Sequence, residues 1–208
     1  MENLTVGSFG WDRAEWQEIF YPEDLPSEWC LDFYSNEFHC VLIPQTEWLA
    51  WSDEEFESVL ESIEGQTFAL YFAVQTALDA SQQKQLLRCH QKFYQYEKGV
   101  VFWQEAFRLP SGCEDFSQTL LQKLDDNHKT EEFEWSWTFD GWRLSGIPLG
   151  LVFKIPSDGK EQAKMIKSFV ESLPKDQVGA PFILGDLNTP LEIQDLRAIK
   201  TIAELLGY

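Results

Sequence analysis

The chain has 208 residues, of which 44% are hydrophobic and 15% aromatic. This composition excludes a disordered protein and is sufficient for one sizeable core. The formal net charge is −19, which argues against nucleic-acid binding because that binding depends on Lys and Arg neutralising phosphates.

The charge leaves two interpretations open. An acidic surface keeps a protein in solution, and it could also dock a basic protein partner. No apolar run reaches the roughly 18 residues of a membrane span, so no membrane association is expected. The first residues, MENLTVGSFG, lack the basic and apolar regions of a secretory signal.

Short apolar runs alternate with helical patterns along the chain, and no linker or internal repeat interrupts them. Runs of this kind are typical of strands covered on both faces. The predicted strands are residues 4–8, 40–43, 68–74, 100–103, 133–137, 149–154 and 181–184.

The first two long helices are marked by capping residues. Ser52 and Glu55 form a capping-box pattern, with Gly65 as the predicted stop. Asp79 and Gln82 open a second helix in the same way, whose buried stripe would include His90. Such a histidine is expected to be a satisfied core residue.

Three later helices are predicted. Two are indicated by the spacing of apolar residues, and the third by capping residues and a proline at its N-terminus. Phe116, Leu120 and Leu124 indicate the first of them. The second is indicated by Ala163, Ile166, Val170 and Leu173, followed by Pro174. The third would begin at 189–192, where an N-cap Thr, a Pro and a capping Glu follow one another, and would end at Gly207.

Repeated strand–helix units predict an α/β fold with a parallel sheet covered by helices. A complete (β/α)₈ barrel usually takes about 250 residues, and the segment 140–148 is too short for a regular helix. We therefore expect one domain over 1–208, folded as a compact or incomplete TIM-type (β/α) barrel with about seven parallel strands.

The N-terminal forty residues carry several spaced aromatic motifs. They are Gly7-Ser8-Phe9-Gly10-Trp11, Trp16, Phe20-Tyr21-Pro22, Leu25-Pro26, Trp29 and Phe33-Tyr34. This pattern resembles the opening of the YecE-like family, known as domain of unknown function 72, whose members are TIM barrels. The resemblance implies a divergent and shortened YecE-like barrel.

The departures from that family concern polar residues. The second strand usually reads Val-Glu-Ile-Asn, whereas residues 41–44 are Val-Leu-Ile-Pro. Gln75 stands where the family has Lys, and Ser136 and Trp137 replace an Arg-His pair, while Gln104 and Glu134 match. The resemblance thus implies the barrel and a weakened anion site.

In a parallel barrel, functional side chains lie at the C-terminal ends of the strands. The predicted ligand pocket is Ser8, Trp11, Gln45, Gln75, Gln104, Trp137 and Asn188. Seven tryptophans fall near predicted loops and strand ends, namely Trp11, Trp16, Trp48, Trp51, Trp135, Trp137 and Trp142. They could line a pocket for a flat or sugar-like ligand, or they could simply fill the barrel.

Three carboxylates fall at the same predicted strand ends: Glu105, Glu134 and Asp186. Their oxygens could bind a divalent cation such as Mg²⁺ or Mn²⁺, and their crowding could raise a pKa for acid–base catalysis. No other cofactor is expected. Gln104-Glu105 and Gly185-Asp186-Leu187-Asn188 also resemble metal-binding elements of the endonuclease/exonuclease/phosphatase family, without its final Ser-Asp-His element.

The four cysteines, Cys30, Cys40, Cys89 and Cys113, form no C-x-x-C pair. Reduced thiols in the cytoplasm are the simplest interpretation. The leading functional hypothesis is a binding or interaction protein with an aromatic-lined mouth. The alternative is a divalent-metal-dependent hydrolase or phosphodiesterase that uses Glu105, Glu134 and Asp186.

Overall fold

The computed structural model describes residues 4–103, 116–124, 133–175, 177, 179–186 and 190–208. Nine strands form one sheet: β1 Leu4–Phe9, β2 Cys40–Ile43, β3 Ala69–Val74, β4 Glu97–Trp103, β5 Gln118–Lys123, β6 Ser136–Phe139, β7 Trp142–Gly146, β8 Gly150–Val152 and β9 Ala180–Leu184. The helices are α1 Cys30–Ser35, α2 Gln45–Ala50, α3 Asp53–Ile63, α4 Ala80–Phe93, α5 Gly159–Ser172 and α6 Ile193–Leu206.

The strand order is β6-β7-β5-β4-β3-β2-β1-β9-β8. Every neighbouring pair is parallel except the two that involve β7, which runs antiparallel to both β5 and β6. The expected α/β fold with a mostly parallel, barrel-like sheet is therefore confirmed. The sheet contains nine described strands, and the TIM-type barrel with about seven parallel strands stays a prediction.

Two helix starts agree with their predicted capping boxes. Ser52 accepts from the amide of Glu55 and Asp79 accepts from the amide of Gln82, with the reciprocal side-chain bonds also present. The last helix starts later than predicted, because Glu192 is its N-cap and Pro190 lies before it. Thr189 is outside the described residues.

The helix predicted from Phe116, Leu120 and Leu124 is wrong. Residues 118–123 form β5, which pairs with β4 on one side and β7 on the other. A spacing of four residues is even, so it places side chains on one face of a strand as well as on one face of a helix. Thr119 and Leu121, on the opposite face from Leu120, are also buried, and burial on both faces favours the strand.

The segment 140–148 forms half of a hairpin that the sequence analysis missed. Asp140 and Gly141 have φ angles of 45° and 78°, as the two-residue turn of a hairpin requires. The Asp-Gly pair between two aromatic runs was the available signal. The strand expected at 133–137 is shifted to Ser136–Phe139, and Trp142–Gly146 returns beside it.

The buried face of α5 also differs from the prediction. Met165, Ile166 and Phe169 are buried, whereas the predicted stripe was based on Ala163, Ile166, Val170 and Leu173. Phe169 packs against Phe182 of β9, with ring centroids 5.2 Å apart. None of the helices in the described ranges has the length and apolarity needed to span a bilayer.

Candidate binding site at the C-terminal edge of the sheet

Four aromatic side chains meet where the parallel strands end. Phe9 is the last residue of β1, Trp103 is the last of β4, Phe153 directly follows β8, and Trp142 opens the antiparallel β7. Their ring centroids form a chain, with Phe9–Trp103 at 5.9 Å, Trp103–Phe153 at 6.3 Å and Phe153–Trp142 at 5.3 Å. All four are partly exposed. We call Phe9, Trp103, Trp142 and Phe153 the aromatic mouth.

Gly185 makes room for the aromatic mouth just beyond β9. A Cβ atom at this position would lie 3.0 Å from a ring carbon of Phe153 and 3.4 Å from Cβ of Phe9. Contacts this close would force the Phe153 ring to move. A side chain at Gly185 is therefore poorly compatible with the present arrangement of rings.

An ion pair lies at the same edge. Arg13 Nη2 donates to Asp186 Oδ1 at 2.9 Å and to the carbonyl oxygen of Phe9 at 2.7 Å. The Arg13 side chain is only 11% exposed, and its buried Nε has no hydrogen-bond partner among the described residues. Asp186, a predicted metal ligand, thus already has a cationic partner. Arg13 was missed in the sequence analysis, although its place just after β1 was the signal.

Ser8 is part of the packing between the first strands and α1, not of an open pocket. It is fully buried. Its amide donates to the Tyr34 hydroxyl at 3.0 Å, and its own hydroxyl donates to the carbonyl oxygen of Gly10 at 2.6 Å. These groups are not free to bind a ligand.

Gln45 holds the loop after β3. Its Oε1 accepts from the amides of Gln75 and Thr76 at 2.6 and 2.8 Å, and its Nε2 donates to Thr76 Oγ1 at 3.0 Å. Gln45 is buried and fully engaged. Gln75 differs, because its partly exposed side chain makes no hydrogen bond to another described residue.

Most of the predicted tryptophan cluster is core. Trp137 packs on Phe169 and Phe182 with centroid distances of 5.1 and 6.0 Å, and its Nε1 donates to Ser168 Oγ at 3.2 Å. Trp142 is partly exposed in the aromatic mouth, and Trp103 joins it without having been predicted. The remaining members of the cluster are buried: Trp11, Trp16, Trp48, Trp51 and Trp135.

The three predicted carboxylates do not form a site within the described ranges. Glu134 is exposed and precedes β6. Since β6 runs in the same direction as β5, Glu134 lies near the N-terminal edge of the sheet, whereas Asp186 lies at the C-terminal edge. Glu105, like the pocket residues Gln104 and Asn188, is outside the described residues. Among the residues that are described, no group of three or more His, Cys, Asp or Glu side chains could hold a metal ion.

His90 is not the core residue that its predicted stripe implied. Its ring is about one-third exposed, and its Nδ1 contacts the Glu97 carboxylate on β4. The fully buried neighbour on this helix is Cys89. Leu86 and Phe93, the other predicted members of the stripe, are buried, so only its His90 position was wrong.

Searches against models of protein families and against curated proteins found no match for this chain. The functional interpretation therefore rests on the geometry of the aromatic mouth and its surroundings.

Proposed function

We propose that this chain is a binding protein on a divergent YecE-like barrel of the TIM type, with its ligand site at the aromatic mouth. The observation that carries the proposal is the chain of four partly exposed rings at the C-terminal edge of a mostly parallel sheet. Parallel barrels place their ligand sites at this edge. Aromatic linings with few polar groups are typical of small-molecule pockets.

The ligand class follows from the groups that remain available. Trp103 and Trp142 offer partly exposed indole rings for stacking, and Gln75 has a side-chain amide without a partner in the described residues. The Arg13 guanidinium forms an ion pair with Asp186, so its charge is already compensated. A flat or sugar-like ligand without a charge matches these features, because it needs stacking and a few hydrogen bonds rather than an ion pair.

The metal-dependent hydrolase is the alternative, and the described geometry favours it less. It requires carboxylates that converge on one cation. Asp186 is neutralised by Arg13, and Glu134 is distant from it along the strands. Binding without catalysis is consistent with the loss of basic residues from the family pattern.

A reducing, cytoplasmic location belongs to the same proposal. Cys30, Cys40 and Cys89 are free and buried, as expected for thiols that behave as small apolar side chains. Burial raises the pKa of Cys30 to about 11, so this thiol is protonated at neutral pH. The net charge of −19 favours a small molecule or a protein as partner over a nucleic acid.

A thermal-shift screen tests the proposal. The probes are adenosine, uridine, glucose and galactose, with MgCl₂ and MnCl₂ as separate additions. A ligand that binds the native state stabilises it by mass action and so raises Tm. At a hundredfold excess over Kd, the stabilisation is about 2.7 kcal/mol. We expect a shift with a neutral probe, and we expect this shift to be smaller in Trp103→Leu than in the wild type. A shift that depends only on the metal ions would support the hydrolase instead.

A further inference from the structure

A cavity adjoins the aromatic mouth at the C-terminal edge of the sheet. Its volume is about 420 Å³, within the range of small-molecule sites, which is about 300–1,000 Å³. It lies between the segments that follow β8 and β9 and the first turns of α5 and α6. Phe153 of the aromatic mouth lines it, together with Gly185, which leaves room for the Phe153 ring. We call it the side cavity.

Gln162 presents a hydrogen-bond acceptor to the side cavity. The residue lines the cavity although it is only 8% exposed. Its Nε2 donates to the carbonyl oxygen of Pro156 at 2.7 Å. A carbonyl oxygen can only accept, so this bond fixes which end of the side-chain amide is the nitrogen.

The other end of the same amide is available to a ligand. Oε1 of Gln162 makes no hydrogen bond with any residue in the described ranges, and it is not one of the fully enclosed polar atoms. Because the residue as a whole is deeply buried, the accessible surface of this oxygen faces the cavity that the residue lines. A ligand group that donates a hydrogen bond would satisfy it.

The charged residues that line the side cavity balance each other. They are Lys154, which is exposed, and Asp195, which is partly exposed. Lysine can only donate hydrogen bonds and a carboxylate can only accept them, whereas a hydroxyl group does both. An ionised ligand group would be attracted by one of the two residues and repelled by the other. The pair therefore favours a neutral, hydroxylated ligand group.

The rest of the wall of the side cavity is largely apolar. It includes Phe153, Ile155 and Leu191, of which Leu191 is only 2% exposed. An apolar wall with a few polar groups that fix orientation is typical of small-molecule sites. A sugar ring matches this wall, because its carbon-bound hydrogens pack on apolar side chains while its hydroxyl groups form hydrogen bonds.

We propose that the ligand of the aromatic mouth is a nucleoside, a flat base joined to a hydroxylated pentose. The base stacks on Trp103 and Trp142, and the pentose occupies the side cavity, where a hydroxyl group donates to Gln162 Oε1. Phe153 belongs to both parts of the site and lies where they join. A nucleoside carries no phosphate, so the negative net charge of the chain does not oppose its binding.

This inference rests on the proposed function, because it assigns the ligand class of the same site. Isothermal titration calorimetry tests it with adenosine and uridine and with the free bases adenine and uracil. The first variant is Gln162→Met, which removes the amide and keeps the length of the side chain. The second is Asp195→Asn, a change at a partly exposed position that tests the side cavity even if Gln162→Met does not fold.

Gln83→Met is the matched control. Gln83 and Gln162 are each the fourth residue of their helices, α4 and α5. Gln83 also donates from Nε2 to a preceding carbonyl oxygen, that of Leu78, at 3.0 Å. It does not line the side cavity. The control therefore removes the same kind of structural bond and no ligand contact.

We expect the wild type to bind a nucleoside about tenfold more tightly than its free base, because hydrogen bonds to the pentose add to the stacking. Gln162→Met should weaken nucleoside binding about threefold to tenfold and change base binding less than about twofold. Asp195→Asn should weaken nucleoside binding about threefold. Gln83→Met should change neither.

The outcomes separate this inference from the proposed function. Equal affinity for nucleosides and bases, or binding of glucose or galactose alone, would overturn the inference and leave the aromatic mouth in place if Trp103→Leu weakens that binding. Nucleoside binding that neither Gln162→Met nor Asp195→Asn weakens more than Gln83→Met does would also overturn the inference alone. Binding that Trp103→Leu leaves unchanged, or no binding of any of these probes, would contradict the proposed function and the inference with it.

Discussion

The hydroxyl of Tyr34 bridges the first two strands of the sheet through Ser8. It accepts a hydrogen bond from the amide of Ser8 at 3.0 Å and donates one to the carbonyl oxygen of Cys40 at 2.9 Å. Trp16 stacks against the Tyr34 ring, with centroids 6.2 Å apart and planes within 4°. The phenol thus completes the pairing of β1 with β2, which places Phe9 in the aromatic mouth.

Removing that hydroxyl should destabilise the protein. Tyr34→Phe leaves a buried amide and a buried carbonyl group without their partner, which costs about 1–3 kcal/mol. Urea denaturation measures the loss. Tyr94→Phe is the matched control, because Tyr94 is 66% exposed and its hydroxyl accepts a hydrogen bond from the neighbouring Gln95. Equal stability of the two variants would contradict a structural role for the bridge.

The ion pair between Glu37 and Arg197 should make stability sensitive to acid. Arg197 donates to both oxygens of Glu37 at 2.7 and 2.8 Å, and this pairing lowers the pKa of Glu37. The native state therefore binds fewer protons than the unfolded state. The stabilisation is present above the ordinary pKa near 4.5 and is lost as the pH falls through the lowered native value.

Glu37→Gln should remove this part of the acid sensitivity. Both side chains are about one-third exposed or more, so the contribution is at most about 1 kcal/mol. Thermal unfolding between pH 3 and 7 measures it, with Glu171→Gln as the control. If the curves of Glu37→Gln and the wild type keep a constant separation over that range, the pair does not contribute in this way.

Glu47 should have the opposite pH dependence. Its native pKa of about 8 is raised by burial, so the native state binds more protons than the unfolded state from pH 4.5 to 8. The stabilisation that comes from the neutral Glu47 carboxyl group is complete below pH 4.5 and is lost as the pH rises through about 8.

Glu47→Gln should therefore stabilise the protein at pH 9 and have little effect at pH 5. We expect Tm to rise by a few degrees at pH 9, since about 1 kcal/mol shifts Tm by about 2–4 °C in a chain of this size. Thermal unfolding at both pH values checks this. A gain of the same size at pH 5 would show that the ionised carboxyl group is not responsible.

Much of the sheet could be predicted because buried parallel strands are short apolar runs. The ranges of β2 and β3 follow from that pattern, and the caps of α3 and α4 follow from local side-chain chemistry. β5 could not be separated from a helix, because Phe116, Leu120 and Leu124 fit both periods. The hairpin at Asp140 and Gly141 was missed although its turn signal was present.

The candidate site was harder to predict than the fold. Ser8 and Gln45 stand at strand ends, as a binding residue would, but the hydrogen bonds that engage them come from residues distant in sequence, Tyr34 and Thr76. The aromatic mouth depends on the sheet bringing β1, β4 and β8 together. Such long-range neighbours cannot be read from spacing along the chain.

The most direct test of the central claim is a fluorescence titration of the aromatic mouth. The probes are the neutral nucleosides and sugars of the thermal-shift panel, and the proteins are the wild type, Trp103→Leu and Trp142→Leu. Trp29→Leu is the control, because it removes an indole that is 60% exposed and does not belong to the aromatic mouth. Stacking on one ring is worth about 0.5–1.5 kcal/mol, so each mouth variant should weaken Kd about threefold to tenfold. Affinity that is unchanged in both mouth variants, or a wild type that none of the probes perturbs, would contradict a ligand site at the aromatic mouth.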